Sequence, residues 1–363
     1  TVAGDGPITV TAVAQSDAGT GGTDAAPVVL TIAPGVDGER RLDAGAQSSR
    51  IAAGDVQGLA TQTCAVPTGR QWLVAGATTL GRTSLLTIVN PTTVPAVVDL
   101  EIFTARGPVS AAGMAGIDVP AGAQRVLPLT GFVLDAESIA VRVSSSGGNV
   151  VASLQSSTIR TLEPGGLDIA VAAGDPGVSR VIPGVVVDSG PALAGLVDRG
   201  AGYEDAITTV RIVAPPVDAA SEAGTGDIAA TILFVPDGMS VQEAQDAAEA
   251  DVVIEGGEGA ATAEVDLTAA RPRLVETHLH GGEVLDVPVP NVGTGGYTVH
   301  VTATEPVLAA VRVTSLGQAG IDFAWIGQAS SLDAEAVLAV PEAQNPRLAL
   351  ANPRSTPAEI AVE

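Results

Sequence analysis

Glu276, His278 and His280 alternate along one short stretch of this 363-residue sequence. On a β-strand, residues two apart point to the same side, so the three would share one face. Two imidazoles and a carboxylate are zinc ligand types, with His300 as a possible further group, and such a centre would serve a zinc-dependent hydrolase. Alternating polar residues are also what any solvated strand face shows. The equivalent turn earlier in the chain, Val119-Pro120-Ala121-Gly122, carries no ligands. The solvated face is the simpler account, so the expectation is a chain with no metal, no cofactor and no catalytic residue.

Other chemistries find less support. Ser144-Ser145-Ser146 runs into a Gly-containing turn and lacks the Gly-x-Ser-x-Gly setting of a nucleophile. No glycine-rich loop carries the Lys of a phosphate cradle, because the chain has no Lys at all. Between Val217 and Val287 there are 15 acids against two Arg. A glycosidase would need two of those acids across a cleft; spread over loops, they read as a solvated or calcium-accepting rim. Asp5-Gly6 and Asp237-Gly238 are acidic turns, but neither has the ligand spacing of a calcium motif. Cys64 is the one cysteine, so no internal disulfide forms, and it reads as a small buried or half-buried structural residue.

Sugar-binding sites present aromatic faces to solvent, and only eight aromatic residues occur here. Trp72 and Trp325 are the two that could form such a platform. Each is flanked by aliphatic residues (Leu73 and Val74; Ala324 and Ile326), which predicts packing in a core or between domains instead.

The net charge of −24, with all 17 basic residues Arg, excludes nucleic acid and anionic lipid as partners, since both select clustered cations. No run of 18 apolar residues is present, so the sequence predicts no transmembrane segment. The chain opens at Thr1 without a leader and stops at Glu363 within an alternating pattern, and both ends read as cut from a longer protein.

Period-2 alternation positions these residues on strands. Leu85–Val89, Val97–Phe103, Ile139–Val143, Tyr297–Val301 and Leu308–Val313 all show it, with Gly, Pro, Asp and Asn punctuating the turns between. The pattern predicts an all-β chain of tandem antiparallel, Ig-like β-sandwiches. One helix is expected over Ser240–Val252, opened by a Ser240/Glu243 capping box and read as a surface insertion.

An internal repeat organises the chain. Ala121–Leu129 matches Gly281–Val289, with Gly122 equivalent to Gly282, 160 residues on. Val141-Arg142-Val143 then matches Val299-His300-Val301, Val150–Leu154 matches Val307–Val311, and Gly166-Leu167-Asp168 matches Gly320-Ile321-Asp322. Leu86–Pro91 resembles Val210–Pro215 and again Leu348–Pro353, each strand stopped by a proline that cannot donate to a ladder. The implied domains are a sandwich over 61–178 and a longer one over 179–333, with acidic insertions around 218–227 and 238–263 and a truncated third copy over 334–363. Residues 1–60 do not fit the repeat and read as an incomplete domain or strands added to the first sandwich. Asp168 and Asp322, demanded by both copies, read as structural residues that cap a turn.

Gly58–Cys64, Trp72–Thr78, the Asn90-Pro91 strand end, Val119-Pro120-Ala121-Gly122 and Gly166-Leu167-Asp168 resemble, in order and spacing, an actinobacterial family of secreted or membrane-anchored envelope proteins classed as a domain of unknown function. The resemblance implies an extracytoplasmic location, secreted or held by an anchor outside this segment. The expected function is a non-catalytic spacer or interaction scaffold of the cell envelope, with an envelope glycan or a protein as partner. A glycan-binding accessory module is the alternative, and a zinc-dependent hydrolase the third.

Overall fold

A computed structural model of the chain describes residues 2–4, 8–15, 27–33, 42–52, 54–188, 190–198, 202–216, 226–250, 266–317, 320–332, 335–341, 346–354 and 356–362. The fold is all-β, built from antiparallel sheets, with two short helices among the described residues. Most of the two acidic insertions, and Asp5, lie outside the described residues.

Among the described residues, six strands precede residue 64: β1 (Val2–Gly4), β2 (Ile8–Ala12), β3 (Ala14–Gln15), β4 (Val28–Ile32), β5 (Asp43–Ile51) and β6 (Gly58–Thr63). The next nine build the first sandwich: β7 (Arg70–Val74), β8 (Arg82–Asn90), β9 (Ala96–Thr104), β10 (Gly107–Pro108), β11 (Ile117–Val119), β12 (Ala123–Pro128), β13 (Ile139–Gly147), β14 (Val151–Arg160) and β15 (Glu163–Val171). They form one sheet in the order β10-β9-β13-β7, with β11 also on β9, and another in the order β15-β14-β8-β12. Alternate residues of each sheet (Leu86, Ile88 and Leu154 from one; Val98, Leu100, Ile139 and Val141 from the other) point inward into one core.

The second sandwich contains β16 (Gly177–Val187), α1 (Gly190–Val197), β17 (Thr209–Val213), β18 (Asp227–Pro236), α2 (Val241–Ala250), β19 (Arg273–His280), β20 (Val284–Pro288), β21 (Gly295–Gly317) and β22 (Gly320–Gly327). β21 is 23 residues long and crosses from one sheet to the other. Its first half pairs with β16 and β18, its second half with β17 and β22. In the first sandwich the same path is cut into β13 and β14 by a short turn at Gly148. Residues that the sequence repeat equates hold the same ladder positions: Leu86 lies between Leu127 and Leu154, and Val210 lies between Val287 and Val311.

The N-terminal strands, which the sequence repeat does not reach, fall into the same order. The sheet β1-β5-β6 corresponds to β8-β14-β15, and the β2-β4 pair corresponds to β9-β13. β3 adds to the edge of β12 in parallel. Residues 346–362 form no strand among the described residues.

Helix α2 begins as the capping box predicts: Glu243 N–H donates to Ser240 Oγ at 3.2 Å, and Ser240 N–H donates to Glu243 Oε2 at 2.9 Å. It lies on the surface but has an apolar footing. Ala244 and Ala248 pack on Leu233, Val235 and Leu274 on the outer face of the β18–β19 sheet. Among the described residues no helix is long and apolar enough to cross a membrane.

Candidate functional site

The two sandwiches meet along a seam. The outer face of β7, β9 and β13 contributes Trp72, Val74, Phe103 and Ala140; the outer face of β17, β20 and β21 contributes Val213, Val284, Leu308 and Ala310. These residues point outward because their strand neighbours point into the two cores, so each sheet is apolar on both sides. Trp72 stacks at a tilt on Phe103, with ring centres 5.3 Å apart, and Trp325 packs partly buried against the same cluster.

Arg211 on β17 bolts the seam. It is 1% exposed. Its guanidinium holds Asp286 of β20 through two bonds of 2.6 and 2.8 Å, and donates across the seam to the carbonyl oxygens of Gly76 and Ile139 at 2.8 and 2.9 Å. The Trp325 ring lies 4.3 Å from its Cζ. A cation so buried is tolerable because the planar fork meets a carboxylate, two carbonyls and a ring face at once.

A second polar cluster closes one side of the seam. Asp205 receives Arg82 at 2.9 Å and Arg160 at 2.7 Å from the first sandwich, and Arg312 at 3.0 Å from β21. Burial alone would raise the Asp205 carboxyl, but the charges of Arg312, Arg82 and Arg160 outweigh it and hold the group below the usual carboxylate range.

The last strands of the sandwiches, β15 and β22, run side by side. Asp168 Oδ2 accepts the Trp325 N–H at 2.7 Å, and Asp322 Oδ1 accepts the Leu167 N–H at 3.0 Å. Asp322 Oδ2 also accepts Leu59 N–H of β6 at 2.8 Å, so one carboxylate ties the N-terminal segment to both sandwiches. Burial pushes Asp168 up to about 7 and raises Asp322 in the same direction. Neither carboxylate caps a turn of its own copy; each bonds the backbone of another.

Trp72 and Trp325 thus come together, facing the seam. Glu276, His278 and His280 do share one exposed face of β19, but their partners diverge. His278 Nδ1 lies 2.9 Å from Asp227, and His280 Nδ1 lies 3.3 Å from Glu283. His300 pairs with Leu233 in the ladder while His278 pairs with Ala229, which sets them about 13 Å apart along the strands. Among the described residues no group of three or more His, Cys, Asp or Glu is placed to hold a metal. Cys64 is exposed, not buried or half-buried as its type suggested, because it follows the end of β6; desolvation of its sulfur raises the thiol, the opposite of an activated nucleophile. Arg211 and Asp205 went unnoticed in the sequence, where single charges inside apolar or acidic stretches gave no spacing signal.

A cavity of about 210 Å³ opens between α1 and the strand ends, lined by Leu193, Val197, Val289 and Val292 with Asp198, Thr208 and Asn291. Its lining holds one titratable side chain, which gives no acid–base pair.

No curated protein and no solved structure matches the chain. The sequence profile of a family of unknown function (DUF5719) matches residues 18–363. The chain belongs to that family.

Proposed function

We propose that the chain is a non-catalytic, extracytoplasmic scaffold of the cell envelope, in which sandwiches over 61–178 and 179–333 stack at a fixed angle and act as a spacer. The observation that carries this reading is Arg211, whose single buried guanidinium bonds groups in both sandwiches. Sandwiches joined in tandem move relative to one another by default, and a seam that is apolar, aromatic and bolted by a desolvated cation supports a rigid pair instead. The envelope location rests on the resemblance in Gly58–Cys64, Trp72–Thr78 and the Asn90-Pro91 turn.

The glycan-binding alternative is disfavoured by the position of its two candidate rings: Trp72 is 5% exposed and Trp325 lies against Arg211. Pulsed spin-label distances between exposed sites on the two sandwiches test the scaffold reading. One narrow distribution supports it, and a broad one overturns it. Co-sedimentation with isolated envelopes, with and without calcium, tests the alternative: saturable binding released by soluble envelope glycan would favour the binding module.

A further inference from the structure

The two sandwiches differ at one end. Between β7 and β8 the first needs only residues 75–81, whereas between β16 and β17 the second uses 188–208 and gains α1. Helix α1 buries Leu193 and Leu196 over the end of the core, yet the cavity of about 210 Å³ stays open between the helix and the strand ends. Leu193, Val289 and Val292 in its wall are core residues, so the cavity is a recess in the core itself.

The frame of the recess is fixed. At the start of α1 the Gly190 N–H donates to Thr294 Oγ1 at 3.0 Å, and that hydroxyl donates to Leu267 O at 3.1 Å. A Cβ on Gly190 would come within 2.8 Å of the same Leu267 oxygen. Backbone is already against backbone there, so the helix does not settle inward to fill the space.

Three polar side chains line this otherwise apolar wall: Asp198, Thr208 and Asn291. Thr208 lies two residues before the core residue Val210, so its side chain turns inward. It is 5% exposed, and its hydroxyl has no hydrogen-bond partner among the described residues. A buried hydroxyl in that condition carries a desolvation cost that a polar ligand atom removes. Asp198 follows the last residue of α1, and its N–H donates to Ala194 O at 3.0 Å. Its carboxylate also has no partner among the described residues. It stands at the helix end whose dipole disfavours an acid and favours a cation.

We propose that the recess binds a small branched aliphatic ammonium ion carrying one hydroxyl or carbonyl oxygen. The ammonium pairs with Asp198 and the C-terminal end of α1. The alkyl body fills the space among Leu193, Val197, Val289 and Val292, and the oxygen meets the Thr208 hydroxyl. Scaled from the roughly 150 Å³ cavity that takes up benzene, the recess holds about eight non-hydrogen atoms. The proposal goes beyond the spacer reading, because a rigid pair of sandwiches neither requires nor forbids such a site.

Isothermal titration calorimetry of the whole chain at neutral pH tests it, with leucinol as a probe of that size. The expected result is saturable one-to-one binding at millimolar concentration or below. Three analogues each lack one part of the probe: isoamylamine the hydroxyl, isohexanol the ammonium, ethanolamine the alkyl body. Each should bind more weakly than leucinol, isohexanol by about tenfold. Asp198→Asn, at an exposed position, should weaken leucinol by about fivefold or more without lowering the melting temperature of the free chain. Thr208→Val, which keeps the shape of the wall, should weaken leucinol and leave isoamylamine unaffected. A wild-type chain that does not bind leucinol, or an Asp198→Asn chain that binds it equally well, overturns the proposal. Isohexanol binding as tightly as leucinol overturns it too, since the recess would then be a packing gap open to any apolar molecule.

Discussion

Asp168 and Asp322 occupy the same place in two copies of one repeat, and each carboxylate accepts a backbone N–H from the other copy's strand: Trp325 at 2.7 Å and Leu167 at 3.0 Å. The pair is a reciprocal clamp between β15 and β22. Because both carboxylates are largely desolvated, the clamp has a pH signature and a steric one.

Asp168 stays protonated to about 7 in the folded chain, mainly through burial, against 3.8 as its ordinary value. The folded state therefore binds this proton more tightly than the unfolded state. Its contribution is fully present below the ordinary value and is lost as pH rises through about 7. Asp322, also raised, adds the same sign. The melting temperature should be higher at pH of about 5.5 than about 8, and Asp168→Asn, which keeps an acceptor for Trp325, should flatten that difference. An unaltered pH slope in the variant would contradict the assignment.

Asp205 is the sole carboxylate that bonds Arg82, Arg160 and Arg312 together among the described ion pairs. Asp205→Ala leaves Arg312 buried beside two other cations, a change expected to cost about 3–5 kcal/mol. Urea unfolding at neutral pH measures it; a loss well below that range would mean that water reaches the cluster.

Arg211→Ala should uncouple the sandwiches. It strands Asp286 and removes the donor from Gly76 and Ile139, at a cost of about 3–5 kcal/mol. Trp72 and Trp325 both report on the seam, so their fluorescence should shift red in a first, separate unfolding step. A single transition at a lower midpoint would instead mean that the cores of the sandwiches cannot stand alone.

Gly166→Ala probes the clamp sterically. Gly166 has φ +112°, and a Cβ there would meet the Phe323 ring at 2.6 Å and Asp322 Cα at 3.0 Å. Gly122, with φ +66°, has nothing within 4 Å of its would-be Cβ and serves as the control for backbone strain alone. The control should lose about 1 kcal/mol, and Gly166→Ala distinctly more, as overpacking adds to strain. Equal losses would show that β22 moves aside freely.

Much of the fold was legible because strand identity is local. Alternation at Leu85–Val89 or Ile139–Val143 states which side chains point inward, and the repeat states which strands of the two sandwiches are equivalent; which strands lie side by side, such as Leu86 beside Leu154 and Val210 beside Val311, only the fold decided. The Ser240/Glu243 box fixed the start of α2 for the same reason: its partners are three residues apart. Alternation also placed Glu276, His278 and His280 on one face, and the apolar neighbours of Trp72 and Trp325 pointed to packing. What the outer faces touch is not local. Trp72, Phe103 and Val213 are apolar on faces that a lone sandwich would give to solvent, and only docking of the second sandwich explains them. The roles of Arg211, Asp205 and Asp322 depend on groups far along the chain, such as Gly76, Arg82 and Leu59. Sequence period encodes the direction of a side chain; the partner of a buried charge is set by how whole sheets stack, and no short spacing records that.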